Sequence, residues 1–227
     1  MKKINIAVDG YAGTGKSTTA KKLAQKLGYL FIDSGAMYRA VSLYLLRNKI
    51  DFDIESSELI AALDDIYIDF VITEGHLHPT VRLNGQEVEN EIRKPEISAI
   101  VSPVAVHKSV RRAMVAQQQR MGLEKGVVMD GRDIGTVVFP QAELKVFVVA
   151  DIEIRAQRRL NEMLNKGINT NLEAVIQNLK ERDHIDSSRE EGPLKQAEDA
   201  ILLDTSSMTI ENQVESVYRL AMERINA

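Results

Sequence analysis

Gly10-Tyr11-Ala12-Gly13-Thr14-Gly15-Lys16-Ser17 is the stretch whose reading decides the fold. It follows a short apolar run, Ile4 to Asp9, and leads into Lys16 to Leu27, where leucines and alanines recur at helical spacing. Strand, glycine-rich loop and helix in that order form the setting of a phosphate-binding loop, and the outer glycines, the lysine and the hydroxyl residue stand at its spacing. Glycines are needed because consecutive amides must turn inward around one phosphate along a path that Cβ atoms obstruct. The helix start adds partial positive charge. Gly10 through Thr18 thus read as a nucleoside triphosphate site, with Lys16 reaching the β- and γ-phosphates and Ser17 sitting on Mg²⁺.

Outward from the loop, Tyr29 to Ile32 reads as a second buried strand, and a helix follows Asp33, Ser34 and Gly35 to about Arg47. Strands alternating with helices predict an α/β fold in three layers, with a central parallel sheet covered on both faces. The pattern changes between Ile66 and Val88: Ile66, Ile68, Phe70 and Ile72 alternate, and Asn84-Gly85 supplies a hairpin turn, predicting a small inserted antiparallel sheet. Helical sequence resumes from about Pro95 to Met121, with Pro95 and Pro103 placed as helix starts. Val127 to Met129 and Lys145 to Val149 read as further parallel strands. The charged stretch from Glu153 to about Glu191, broken near Lys166-Gly167, predicts a mobile helical hairpin. Ala200 to Leu203 makes a last strand, and Ile210 to Ile225 an amphipathic helix with Val214, Val217 and Ala221 on one side. No repeat or low-complexity tract interrupts this plan.

The chain has 227 residues, 44% hydrophobic and 27% charged, which is ordinary globular usage with no stretch apolar enough to span a bilayer. A single unit is expected over 1–227, with its core at about 1–60, 102–150 and 195–227, an insert at about 61–101 and a lid at about 151–194. Met1 to Asp9 does not read as a signal peptide, and the absence of cysteine fits a reducing compartment, so a cytoplasmic location is expected. A net charge of −4 argues against nucleic acid or a membrane as partner, since both need a basic surface. Any bound anion must meet a local basic cluster.

Asp33-Ser34-Gly35-Ala36-Met37-Tyr38-Arg39 offers such a cluster: its helix-start amides, Ser34 and Arg39 can converge on a second phosphate. Asp130-Gly131-Arg132-Asp133 holds the equivalent place after another strand, and ligands of open α/β sheets bind beyond the strand ends. Asp130 can cap the turn that follows or hold Mg²⁺ through water; the residues alone leave both open. A GTPase would carry Asn-Lys-x-Asp after a later strand, and no such string occurs. By periodicity Arg111 is one of a solvated helix face with Lys108 and Arg112, while Arg155, Arg158 and Arg159 fit either a solvated face or one basic face turned into a closing site. His76, His78, His107 and His184 have no metal-ligand spacing, and Met114, Met121, Met163 and Met222 read as packing residues.

These residues closely resemble bacterial cytidylate kinases, the nucleoside monophosphate kinases that act on CMP and dCMP. The match runs through Gly10 to Thr18, Asp33 to Arg39 and Asp130 to Pro140, then Lys180-Glu181-Arg182-Asp183, Arg189, Pro193-Leu194, Ala197, Asp199-Ala200 and Leu203-Asp204-Thr205. It departs at Tyr11, where the family usually has proline, and at His184-Ile185, where acidic or polar residues are common. The resemblance implies transfer of the γ-phosphoryl of ATP to CMP or dCMP by a monomer. It implies that Ser34, Arg39 and Arg132 hold the acceptor phosphate and that Ser102, Arg111 and Asp133 read the cytosine edge. Tyr38, Asp186 and Arg189 become ribose or phosphate neighbours, with Asp130 and Gly131 beside them. Arg155, Arg158, Arg159 and Arg182 form a lid over the transferring group, so that Lys16, Arg132, Arg158 and Arg182 are the catalytic set. Other acceptors of the same architecture, UMP, AMP or shikimate, are the nearest alternative. The chemistry asks for no general base, because an acceptor phosphate with a second pKa of about 6 is already anionic at neutral pH.

Overall fold

The computed structural model describes residues 2–71, 79–165 and 167–227. The buried run β1 (Asn5–Gly10) feeds the phosphate loop and α1 (Lys16–Leu27). The chain continues through β2 (Leu30–Asp33), α2 (Ser34–Arg47) and a short α3 (Ser57–Ala62) to the insert strands β3 (Ile68–Val71), β4 (Thr80–Leu83) and β5 (Gln86–Glu87). Two helices follow, α4 (Pro95–Ala105) and α5 (Lys108–Met121), then β6 (Val127–Gly131) and β7 (Leu144–Val149). The hairpin of α6 (Ile152–Asn165) and α7 (Leu172–Ser188) comes next, and β8 (Ile201–Asp204) and α8 (Ile210–Asn226) complete the fold.

The main sheet runs β2-β6-β1-β7-β8, parallel throughout. Alternate residues of each strand face opposite layers, as the two-residue period requires. Ala7, Ile32, Val127 and Met129 pack with Met37 and Val41 of α2, Met114 of α5 and the insert. Ile6, Val8, Val128, Val146 and Val148 pack instead with Leu23 of α1 and with Val217 and Ala221 of α8. The expected alternation thus appears as two apolar layers on one sheet. The small sheet β3-β4-β5 is antiparallel and turns at Asn84-Gly85 as expected. Ile72, His76, His78 and Lys166 lie outside the described residues.

The structure corrects one helix start and adds several short elements. Pro95 opens α4, but Pro103 lies within that helix, and the next one begins at Lys108 after His107. Proline at 103 cannot make the i→i−4 bond to Ala99 O and its ring crowds that carbonyl, and the helix stops two residues later, so it terminates rather than initiates. The short α3 spans too few residues to show a helical period, though Ser56 caps it by accepting from Leu59 N–H at 3.1 Å. Ile134–Val138 forms a π-helical turn that apolar periodicity does not encode.

Candidate active site

Registers within the sheet bring the strand ends together: Asp9 lies opposite Gly131, and Asp33 opposite Asp130. Loops leaving those ends surround a cleft of about 930 Å³. At the end of β1, Gly10 has φ of 147°, and a Cβ there would run into the Val148 backbone, so the loop can leave β1 only through glycine. Thr14 Oγ1 donates to Tyr11 O at 3.0 Å, and Lys16 Nζ to the same carbonyl at 3.4 Å. Burial, followed by the nearby Arg132 charge, pushes the Lys16 ammonium down to about 8, against the pull of Asp130. Ser17 donates its hydroxyl to Oδ2 of Asp130, whose Oδ1 is buried and accepts nothing from the protein. Burial, then the Asp33 charge, raises the Asp130 carboxyl to about 6.

Across the cleft, Asp33 caps α2 by accepting from Ala36 N–H at 3.0 Å, and its other oxygen takes Nη2 of Arg93 at 2.9 Å. Ser34 and Arg39 follow on the first turns of α2, and Arg39 donates to Ser98 Oγ at 2.9 Å. Arg132, half-buried just after β6, donates Nε–H to Asp186 Oδ2 at 2.7 Å, and Arg189 reaches Oδ1 of the same carboxylate at 3.3 Å. Burial alone would raise the Asp186 carboxyl; Arg132 and Arg189 hold it below the usual range. Burial and the Arg132 charge lower Arg182 to about 10, which marks an excess of positive charge at this spot. Deeper still, Arg111 and Asp133 form an ion pair with side chains 3% and 6% exposed. Arg111 also donates to Ala105 O at 3.3 Å and stands 5.4 Å from the centre of the Tyr38 ring. The backbone after Asp133 is fixed from β1: both carboxylate oxygens of Asp9 accept from the π-helical turn, from Ile134 N–H at 2.8 Å and Gly135 N–H at 2.7 Å.

The cleft gathers most of the residues that the sequence singles out. Ala12, Gly13, Gly15, Lys16, Ser17 and Thr18 of the phosphate loop and the start of α1 line one side of it. Ser34, Tyr38, Arg39, Ser102, Arg111, Asp130, Gly131, Arg132, Asp133, Asp186 and Arg189 line the rest, with Arg158 and Arg182 above them. Gly10, Tyr11 and Thr14 are absent from its wall and act through the loop's shape. Arg155 departs from the expected lid role. It is buried beside the phosphate loop, donating to Ala12 O at 3.2 Å, Ala150 O at 3.0 Å and Asp183 Oδ2 at 2.8 Å, and it stands 5.2 Å from the Tyr11 ring centre. Arg158 donates to Thr205 O at 2.7 Å and Thr14 O at 3.3 Å, and Arg159 to Glu162 at 2.8 Å, so the three arginines serve three different places. Arg93 also lines the cleft, on a 3-10 turn where it pairs with Glu89 at 3.0 Å, and no local sequence pattern marks it for the site. His184 is exposed and His107 contacts Phe52 O at 2.7 Å, in keeping with histidines that play no part in the site.

Unpartnered buried polar atoms occur here: Tyr38 OH, Asp130 Oδ1 and Arg189 Nε have no hydrogen-bond partner within the protein. Such atoms cost free energy unless a partner takes them up, so these three on residues of the cleft wall suit a polar occupant, while Asn5, Ser109, Gln118 and Asp183 carry others away from it. Among the described residues no cluster of three or more His, Cys, Asp or Glu side chains could hold a metal by itself, and no helix is long and apolar enough to cross a membrane.

Residues 6–223 match the cytidylate kinase family. A cytidylate kinase of Bacteroides fragilis is 56% identical over 217 residues, covering 95% of both chains. One from Parabacteroides distasonis is 55% identical over 216 residues, covering 94% of each. Among solved structures, a shikimate kinase from Bacteroides thetaiotaomicron superposes with a TM-score of 0.49 at 13% identity, over 97% of this chain and 99% of that one. Identity at this level along nearly the whole chain, on a phosphate loop facing a second basic pocket, makes this protein a phosphotransferase of the cytidylate kinase family.

Proposed function

We propose that the chain transfers the γ-phosphoryl group of ATP to CMP or dCMP, releasing ADP with CDP or dCDP. The observation that carries this reading is the buried Arg111–Asp133 pair on the wall of the cleft opposite the phosphate loop. Cytosine offers an amino donor at N4 beside acceptors at N3 and O2. A carboxylate next to a guanidinium complements that edge, whereas uracil sets an acceptor at O4 against the carboxylate and a donor at N3 against the arginine. Buried groups left unpaired make such a mismatch expensive, which gives base selectivity.

Gly10 through Thr18 hold the triphosphate, with Lys16 at its end. Ser34, Arg39 and Arg132 hold the acceptor phosphate, Tyr38, Asp186 and Arg189 lie beside ribose and phosphate, and Ser102 completes the base pocket. The segment 61–101 then serves as the acceptor-binding insert and 151–194 as the lid, which brings Arg158 and Arg182 over the transferring group. Ser17 and Asp130 fit Mg²⁺: both offer oxygen, and an ion of this kind is commonly held by one or two side chains together with substrate phosphates. When bound, it supplies positive charge that offsets the charge of the phosphates. The protein's own contribution is positioning and electrostatics: basic groups draw two anions into reach of each other and stabilise charge on the group in flight. No proton need be removed from the acceptor.

A coupled assay of ADP formation from ATP with CMP, dCMP, UMP and AMP tests the reading. CMP and dCMP should give kcat/KM values well above those for UMP and AMP. Preference for UMP or AMP would overturn it.

A further inference from the structure

Beyond α7, residues 189–194 run across the outer side of α5 as a strap. Two ion pairs fasten it there, Lys108 with Glu190 at 2.8 Å and Arg112 with Glu191. Arg111, the third member of the same helix face, turns under the strap into its pair with Asp133. Two bonds hold the strap's shape: Leu194 N–H donates to Asp186 O at 2.7 Å, and Arg189 Nη2 to Gly192 O at 2.8 Å. Gly192 rests directly on the pair. A Cβ built there would overlap Oδ2 of Asp133 and lie 2.6 Å from Nη2 of Arg111. Residues 190–194 contribute nothing to the cleft wall, while Arg111 and Asp133 do, so the strap backs the pair from the side away from the cleft.

We infer that Gly192 is a specificity-determining positioning residue: its bare backbone is the rear wall that sets how far the Arg111–Asp133 pair stands out into the base pocket. This rests on the reading of that pair as the base reader. The pair is also held away from the strap: Ala105 O takes Arg111, and the π-helical turn anchored by Asp9 carries Asp133. A side chain at 192 therefore presses on the pair from behind, and the open cleft in front leaves the pair room to move toward the substrate. Displacement on the scale of one ångström is enough to cost large factors in rate when the displaced groups choose the substrate. Gly192 also has φ of 57°, so alanine there adds backbone strain, and a control must carry that strain without the contact. Gly28, at the end of α1, has φ of 67° and nothing within 4 Å of a built Cβ.

Measurement of kcat/KM for CMP and UMP, and of KM for ATP, in wild type, Gly192→Ala, Gly28→Ala and Asp133→Asn tests the inference. Gly192→Ala should lower kcat/KM for CMP roughly ten- to a hundredfold and narrow the CMP to UMP ratio, with KM for ATP near wild type. Gly28→Ala should leave all three values unchanged. Equal loss for CMP and UMP in Gly192→Ala, or behaviour matching Gly28→Ala, would overturn the inference. Should Gly192→Ala fail to fold, the double variant Lys108→Ala/Arg112→Ala unfastens the strap from outside: a ratio narrowed roughly two- to fivefold supports the wall, and an unchanged ratio removes it. Asp133→Asn separates the two layers of the argument. If its ratio narrows while that of Gly192→Ala stays fixed, only the wall is wrong; if its own ratio stays fixed, the base-reading role fails and the wall with it.

Discussion

Asp186 holds the guanidinium of Arg132 through Nε at 2.7 Å, a contact that ties the last turn of α7 to the end of β6. A helix of the α6–α7 hairpin thereby orients an arginine beside the strand ends. The same carboxylate faces Arg189 and lies beside Arg182, so it also balances a concentration of positive charge.

Asp186→Asn is therefore expected to destabilise the unliganded chain by about 2 kcal/mol in urea unfolding, the scale of a charge-assisted hydrogen bond. CMP should restore more stability to the variant than to wild type, because its phosphate replaces the missing negative charge, while kcat/KM falls as Arg132 loses its guide. A variant as stable as wild type without ligand would show that Arg132 needs no such partner.

Asp9 predicts a pH dependence of stability. Burial pushes its carboxyl up to about 7, outweighing the two amides that it accepts. Between the ordinary carboxylate value, about 4, and about 7, the folded chain keeps a proton that the unfolded chain has released. The contribution to stability from that proton is complete at the lower value and is lost as pH rises toward about 7. Asn cannot titrate, so the stability difference between Asp9→Asn and wild type should shift in the variant's favour as pH rises from about 4.5 to 7.5. Urea midpoints that run parallel over this range would contradict the assignment.

Arg155 predicts a structural effect where the resemblance implied a lid residue. Its removal leaves the Asp183 carboxylate without its cation, with Oδ1 already unpartnered, and frees the carbonyl of Ala12 in the phosphate loop. Arg155→Ala should cost roughly 3 kcal/mol of stability, and adding Asp183→Asn should recover part of it. Activity loss without any fall in the urea midpoint would return Arg155 to the lid.

What was legible in the sequence and what was not follow from the range of the interactions. The phosphate loop is local: the residues of 10–17 make their own geometry, and strand and helix on either side announce it. The same holds for the Asn84-Gly85 turn. Arg155 and Arg158 could not be told apart, because their i, i+3 spacing puts them on one helix face, while their partners Ala12, Asp183 and Thr205 are distant in the chain. Nor could the burial of Arg111 be read from periodicity, which groups it with Lys108 and Arg112. Its carboxylate partner sits on a loop that a π-helical turn and Asp9 hold in place, and no local pattern encodes that arrangement.

The central claim is that the Arg111–Asp133 pair chooses the base, and Asp133→Asn tests it most directly. Asparagine keeps the shape and one acceptor for Arg111, yet its amide can turn a donor toward the substrate. With circular dichroism showing the variant folded, kcat/KM for CMP and for UMP is measured in wild type and variant. The account predicts a loss for CMP equivalent to roughly 1–3 kcal/mol, with UMP harmed less or helped, so that the ratio narrows. Loss of both substrates by the same factor would contradict it.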